Sequence, residues 1–140
     1  MNQLTRKLAT VASSLALAAS GLLLASSPAS AATSCYGSSC NGLDPAATIC
    51  QNDAQTVRTS AWGVELRYSP TCRAAWARKT SGGSLDTSIH VQNTQGTTHS
   101  TYYGGSGSVW TRMVNDKDIQ AWACETRAYE TLRTQCTGGY

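Results

Sequence analysis

A mainly β fold, small and stapled by disulfides, is the class this sequence predicts. Three observations carry it. Six cysteines, the first at Cys35, stand in a chain of only 140 residues. That density is typical of secreted domains too small to be held by a core alone. Apolar and polar residues alternate in several short segments, the period of a half-buried strand. Turn formers separate those segments. The expected architecture is a small antiparallel sheet or barrel-like sandwich, with one short helix near residues 70–78.

Ahead of the domain lies a leader. Arg6 and Lys7 form a cationic start, and an apolar Ala/Leu run follows from Leu8 to Leu24. Ala29-Ser30-Ala31 then supplies the small side chains a signal peptidase reads. Ser13, Ser14, Ser20 and Gly21 dilute the run, and no basic cluster follows it, which disfavours a retained anchor. Residues 1–31 are therefore read as a cleaved secretory signal. Residues 32–140 are read as one disulfide-rich β domain, secreted, extracellular and off the membrane. The formal charge of the whole chain is +3, and Arg6 and Lys7 supply two of those charges, so the domain stays near +1. With no run of Lys or Arg, nucleic acid is not an expected partner.

The elements follow in order. Residues 32–50 are rich in Cys, Gly and Ser, with turn signals at Asn41-Gly42 and Asp44-Pro45, and read as a stapled loop. Residues 54–59 read as a first strand. In residues 62–68, Trp62, Val64, Leu66 and Tyr68 alternate with Gly63, Glu65 and Arg67, so Glu65 and Arg67 share the polar face. Ser69-Pro70 resembles a helix N-cap with Pro at the first position. Ala74, Ala75 and Ala77 then favour helix, placing Cys72 and Trp76 on one face. Ile89 and Val91 mark a strand over 87–92. Residues 93–108 carry little apolar content and read as a long mobile hairpin loop. Strands are expected again at 109–114 and 119–126, with a last one at the tail, Leu132 to Cys136. Neighbour pairing is the simplest disulfide scheme: Cys35–Cys40, Cys50–Cys72 and Cys124–Cys136. Spacing alone leaves the other schemes open. A zinc site is disfavoured because no CxxC pair is present.

Three blocks carry a family resemblance: Cys35 to Pro45, then Cys50 with Asp53-Ala54, then Val64 to Arg78. Trp110 to Val114 and Cys124 continue it. Together they resemble the domain of unknown function 2690, a family of secreted proteins common in Gram-positive bacteria, actinomycetes above all. The resemblance implies an extracellular, disulfide-bonded, mainly β domain and brings no catalytic residues with it.

Chemistry is thinly signalled. No Gly-x-Ser-x-Gly elbow marks a nucleophile, and with all six cysteines paired no thiol is free. A glycosidase needs two opposed carboxylates, and no pair of acids is marked out. Asp44 with Asp53, or Asp116 with Asp118, are the available metal-ligand sets. Both lack a calcium-loop pattern, so no metal and no cofactor is expected. Tyr102 and Tyr103, with His99 nearby, fall in the Gly/Ser-rich segment where no core is anticipated. They are the candidate ligand-binding residues, as aromatic surface for a glycan or a protein. The functional expectation is a monomeric, non-catalytic binding or interaction module of the cell exterior. The alternatives are a small hydrolase acting on cell wall, or a secreted inhibitor or effector.

Overall fold

The computed structural model describes residues 31–128 and 131–140. The leader expected over residues 1–31 lies outside the described residues but for Ala31. Two antiparallel sheets make the fold, and they do not close into a barrel. The first contains β1 (Gln55–Thr59), β2 (Glu65–Ser69) and β3 (Ala74–Lys79) in that order. Two short strands, β6 (Val109–Trp110) and β7 (Val114–Asn115), pair with opposite ends of β3. The second sheet has the order β5-β4-β8-β9, with β4 Thr87–Asn93, β5 Thr98–Tyr103, β8 Ala121–Arg127 and β9 Arg133–Cys136. Among the described residues, helical structure is limited to three short 3-10 segments between Gly37 and Asp53. None of these is long and apolar enough to cross a membrane.

The core follows the alternation. Leu66 and Tyr68 of β2 pair with Ala77 and Ala75 of β3. These four pack with Ile89 and Val91 of β4 and Ala121 and Ala123 of β8. The opposite face of the first sheet is partly covered. Ala74 and Trp76 point there and pack with Met113 and with the disulfide-bonded Cys40, Cys50 and Cys72. The stapled segment of residues 35–53 thus forms a third layer over one half of that sheet. The disulfides join Cys35 to Cys40, Cys50 to Cys72 and Cys124 to Cys136, the neighbour scheme.

Three expectations are corrected. The short helix expected near residues 70–78 is absent: residues 70–73 are a turn, and Ala74–Lys79 is β3, the central strand. Ser69 does accept a hydrogen bond from the Cys72 N–H at 3.1 Å, as an N-cap would, but it closes a hairpin turn. The same short-range bond serves both structures. Ala is favoured in β3 because this strand is buried on both faces, where packing overrides helix propensity. Trp76 still packs with the Cys50–Cys72 disulfide, because the turn carries Cys72 onto the face of β3 that Ala74 and Trp76 share.

The long loop expected over 93–108 is largely strand. β5 pairs with β4 over six positions, after a turn in which Asn93 Oδ1 accepts from the N–H groups of Gln95 and Thr97. β5 escapes the alternation rule because its inward positions are His99, Thr101 and Tyr103 rather than aliphatics. The strand expected over 109–114 is interrupted. Thr111 Oγ1 accepts from the Ala77 N–H at 3.0 Å and so replaces a ladder bond. Met113 then turns into the stapled layer, its N–H donating to Leu43 O.

Candidate functional site

The outer face of the first sheet has a half left open by the stapled layer. Pairing puts Glu65 opposite Arg78 and Arg67 opposite Trp76 on this face, with Trp110 next to Arg78. Two clefts meet there. One, of about 330 Å³, lies among Ala46, Gln51, Arg67, Trp76, Arg78 and Trp110. The other, of about 200 Å³, is bounded by Asp44, Ser100, Thr101, Trp110, Thr111 and Arg112. Trp110 is the shared wall and is 41% exposed.

Asp44 sets the Trp110 ring. Its Oδ1 accepts from the indole Nε1–H at 2.9 Å and from the Ala46 N–H at 2.9 Å. The turn-forming character of Asp44 before Pro45 is thus turned to a second use: the carboxylate that caps the 3-10 turn also fixes the indole. Arg67 is anchored by Nη1 to Thr56 Oγ1 and by Nη2 to Ala54 O, both at 2.8 Å. Its Nε is buried with no hydrogen-bond partner among the described residues. Burial, and then the neighbouring Arg78 charge, pull Arg67 below its ordinary pKa. Arg78 itself pairs with Glu65, its neighbour across the β2–β3 ladder, at 2.5 Å. Arg112 donates to Gly42 O at 2.8 Å. Burial, with Arg112 adding to it, holds His99 below the ordinary histidine value, so its imidazole is neutral near pH 7.

The residues singled out from sequence do not gather in one place. His99, on β5, lies beside the smaller cleft, whose lining includes the next residues Ser100 and Thr101. Tyr102 is 79% exposed, whereas Tyr103 is 2% exposed. Successive residues of a strand face opposite sides, so the two tyrosines form no joint surface, and Tyr103 belongs to the interior. Asp53 accepts from Ser69 Oγ and from the Thr71 N–H. Burial pushes its pKa up, but these bonds prevail and hold it below the ordinary value. Asp44 and Asp53 thus serve separate turns. Asp118 is bound by Arg73 and Lys117, each at 2.9 Å, while Asp116 is buried with no partner among the described residues. Among the described residues the metal-type side chains that cluster are Cys35, Cys40, Cys50 and Cys72, all in disulfides.

Trp110, Arg67 and Arg78 were not marked out by sequence. Trp110 differs from Trp62, Trp76 and Trp122 in two legible ways: it lacks an adjacent alanine, and it follows a Gly/Ser-rich stretch.

The family described as protein of unknown function (DUF2690) matches residues 38–124. The chain belongs to that family. The DUF2690 match takes in Asp44, Arg67, Trp110 and Asp116, and it ends at Cys124, ahead of β9. No curated protein and no solved structure matches the chain.

Proposed function

We propose that this DUF2690 domain is a non-catalytic extracellular binding module whose ligand, an acidic polysaccharide of the cell envelope, docks across Trp110. The carrying observation is Trp110 itself, held by Asp44 as a half-exposed ring between two clefts. A preset aromatic face binds the carbon face of a sugar at small entropic cost. The Arg67 and Arg112 guanidiniums place positive charge on either side, suited to carboxylate or phosphate groups. Ser100, Thr101 and Gln51 add neutral polar contacts. Tyr102, which shares the outward side of β5 with Ser100, extends the surface. Three disulfides are in keeping with an oxidising exterior.

The test is co-sedimentation of the oxidised protein with purified, acidic-polymer-bearing cell wall. Binding should fall at least tenfold in Trp110→Ala and several-fold in Arg67→Gln, and it should weaken as salt rises. Tyr102→Ala should have the smaller effect. Binding unchanged by Trp110→Ala would overturn the proposal.

A further inference from the structure

A third cleft, of about 230 Å³, opens at the start of β3 and shares no lining residue with the two beside Trp110. Tyr68, Arg73, Asp116, Asp118, Ile119 and Tyr140 line it. Asp116 is 4% exposed, and neither of its carboxylate oxygens has a hydrogen-bond partner among the described residues. Arg73 Nε is likewise buried and unpartnered. The two residues are joined through backbone, the Asp116 N–H donating to Arg73 O at 3.0 Å. Their side chains nevertheless form no bond with each other. The far end of the guanidinium is committed to Asp118 Oδ1 at 2.9 Å, and Asp118 Oδ2 takes the Lys117 ammonium at 2.9 Å.

Buried polar groups in native proteins almost always find partners. A donor and two acceptors left open at one cleft therefore call for an explanation. Structural economy does not supply it. Arg73 and Asp118 are the two non-glycine residues with positive φ among the described residues, at 51° and 59°. Such backbone is held at a cost and persists where its surroundings demand it.

Charge decides what could fill the gap. An anion would meet Asp116 and Asp118, and a cation would meet Arg73 and the Lys117 that binds Asp118. A hydroxyl satisfies both sides, because one oxygen accepts from an N–H and donates to a carboxylate. Tyr140 adds an aromatic wall: it is 42% exposed and meets Tyr68 edge-on at 5.0 Å between centroids. We infer that this cleft is a second ligand site, for a neutral polyhydroxylated molecule of the sugar class, one hydroxyl of which bridges Arg73 Nε–H and the Asp116 carboxylate while its carbon face rests on Tyr140.

The state of Asp116 offers a readout. Burial raises its pKa to about 7, with Arg73 pulling partly the other way. Tyr68, Tyr140 and the Lys117-bound Asp118 are the other titratable groups at the cleft. A hydroxyl donating to Asp116 favours the ionised form, so bound ligand lowers the Asp116 midpoint, and binding tightens as pH rises through neutrality.

The experiment follows the Asp116 carboxyl and Arg73 Nε–H resonances of the isotope-labelled, oxidised protein. The probes are the methyl glycosides of glucose, N-acetylglucosamine and mannose, each taken into the high millimolar range. The expected result is a joint, saturable shift of both resonances with at least one glycoside, together with a lower Asp116 midpoint. Trp110→Ala should leave that response intact, which separates this site from the proposed envelope site. Arg73→Lys keeps the charge but removes the guanidinium Nε–H, and should weaken binding at least tenfold. Absence of a joint shift with all three glycosides would overturn the inference. So would a response that survives Arg73→Lys. The wild-type titration decides the matter even if that variant fails to fold.

Discussion

The two ends of β3 handle buried charge in opposite ways. At its last residue, Lys79 and Glu125 meet at 2.7 Å with both side chains fully buried. Lys79 Nζ also donates to Trp62 O at 2.9 Å, and Arg127 Nε donates to the second oxygen of Glu125 at 2.8 Å. Every strong group there has a partner. Beside the first residue of β3, Asp116 is buried to a similar degree and has none among the described residues. A buried ion is tolerable when its lost hydration is replaced by well-placed partners. The first end meets that condition within the domain, and the second does not. The lesson is that burial alone does not separate architecture from site. Completeness of the hydrogen bonding does.

The contrast can be broken most forcefully at the complete end. Lys79→Met leaves Glu125 buried with only the partly exposed Arg127 for company. Loss of one partner of such a pair typically costs about 3–5 kcal/mol. Urea unfolding should show that loss, and the double change Lys79→Met with Glu125→Leu should recover most of it. A loss under about 1 kcal/mol in the single variant would mean that the pair behaves like a surface ion pair. Removing the Cys50–Cys72 bridge, which closes 22 residues, should follow at about 3 kcal/mol. That bridge underlies Trp76 and the open face around Trp110, so its loss tests whether the stapled layer holds the candidate site. Cell-wall binding should fall in step with stability.

Much of this contrast was hidden from the sequence, and the reasons are physical. The strands around Leu66, Ile89 and Ala123 were legible because each has one inward apolar face. β3 was not, because it is buried on both sides and its alanines read as helix. β5 was not, because Tyr103 is its one fully buried residue and polar side chains occupy the rest. Lys79 and Glu125 lie 46 positions apart, and nothing local in either marks it as buried. Asp116 sits in Asn-Asp-Lys-Asp, which reads as solvated turn. Tertiary neighbours far along the chain, Tyr68 and Tyr140 among them, surround it in the fold. The pairing of the cysteines, by contrast, follows chain proximity, and the neighbour scheme sufficed.

At the incomplete end the expected effect has the opposite sign. The folded Asp116 carboxyl keeps its proton up to a pH of about 7, while the unfolded one releases it near 3.8. Between those values folding takes up a proton, so stability falls as pH rises from about 4 to about 7 and levels off above. Asn has no charge to bury. Asp116→Asn should therefore be close to neutral at pH 4 and stabilising by roughly 2 kcal/mol at pH 8, with an upper bound near 4 kcal/mol. Thermal unfolding at the two pH values checks this. A variant that gains stability while losing the glycoside response would carry the mark of a functional group held against the interest of the fold. A loss of stability at pH 8 would mean that Asp116 is structural, like Glu125.

The smallest predicted effect sharpens the picture of the complete end. Tyr103 is almost fully buried, and its ring lies 5.9 Å from Lys79 Nζ. Gly83 packs directly on that ring: a Cβ there would fall 2.3 Å from Cδ1 and 2.7 Å from Cε1. Gly83 has no positive φ, so its role is close approach rather than backbone freedom. Alanine must displace the ring or the 82–84 backbone, at a cost of about 1–2 kcal/mol. If the Lys79 end is as tightly determined as its bonding suggests, the Tyr103 ring cannot yield without disturbing Lys79. The effects of Gly83→Ala and Lys79→Met should then be clearly non-additive in a double-mutant cycle. Strict additivity would show that the ring moves freely, and that the order at this end stops at the ion pair.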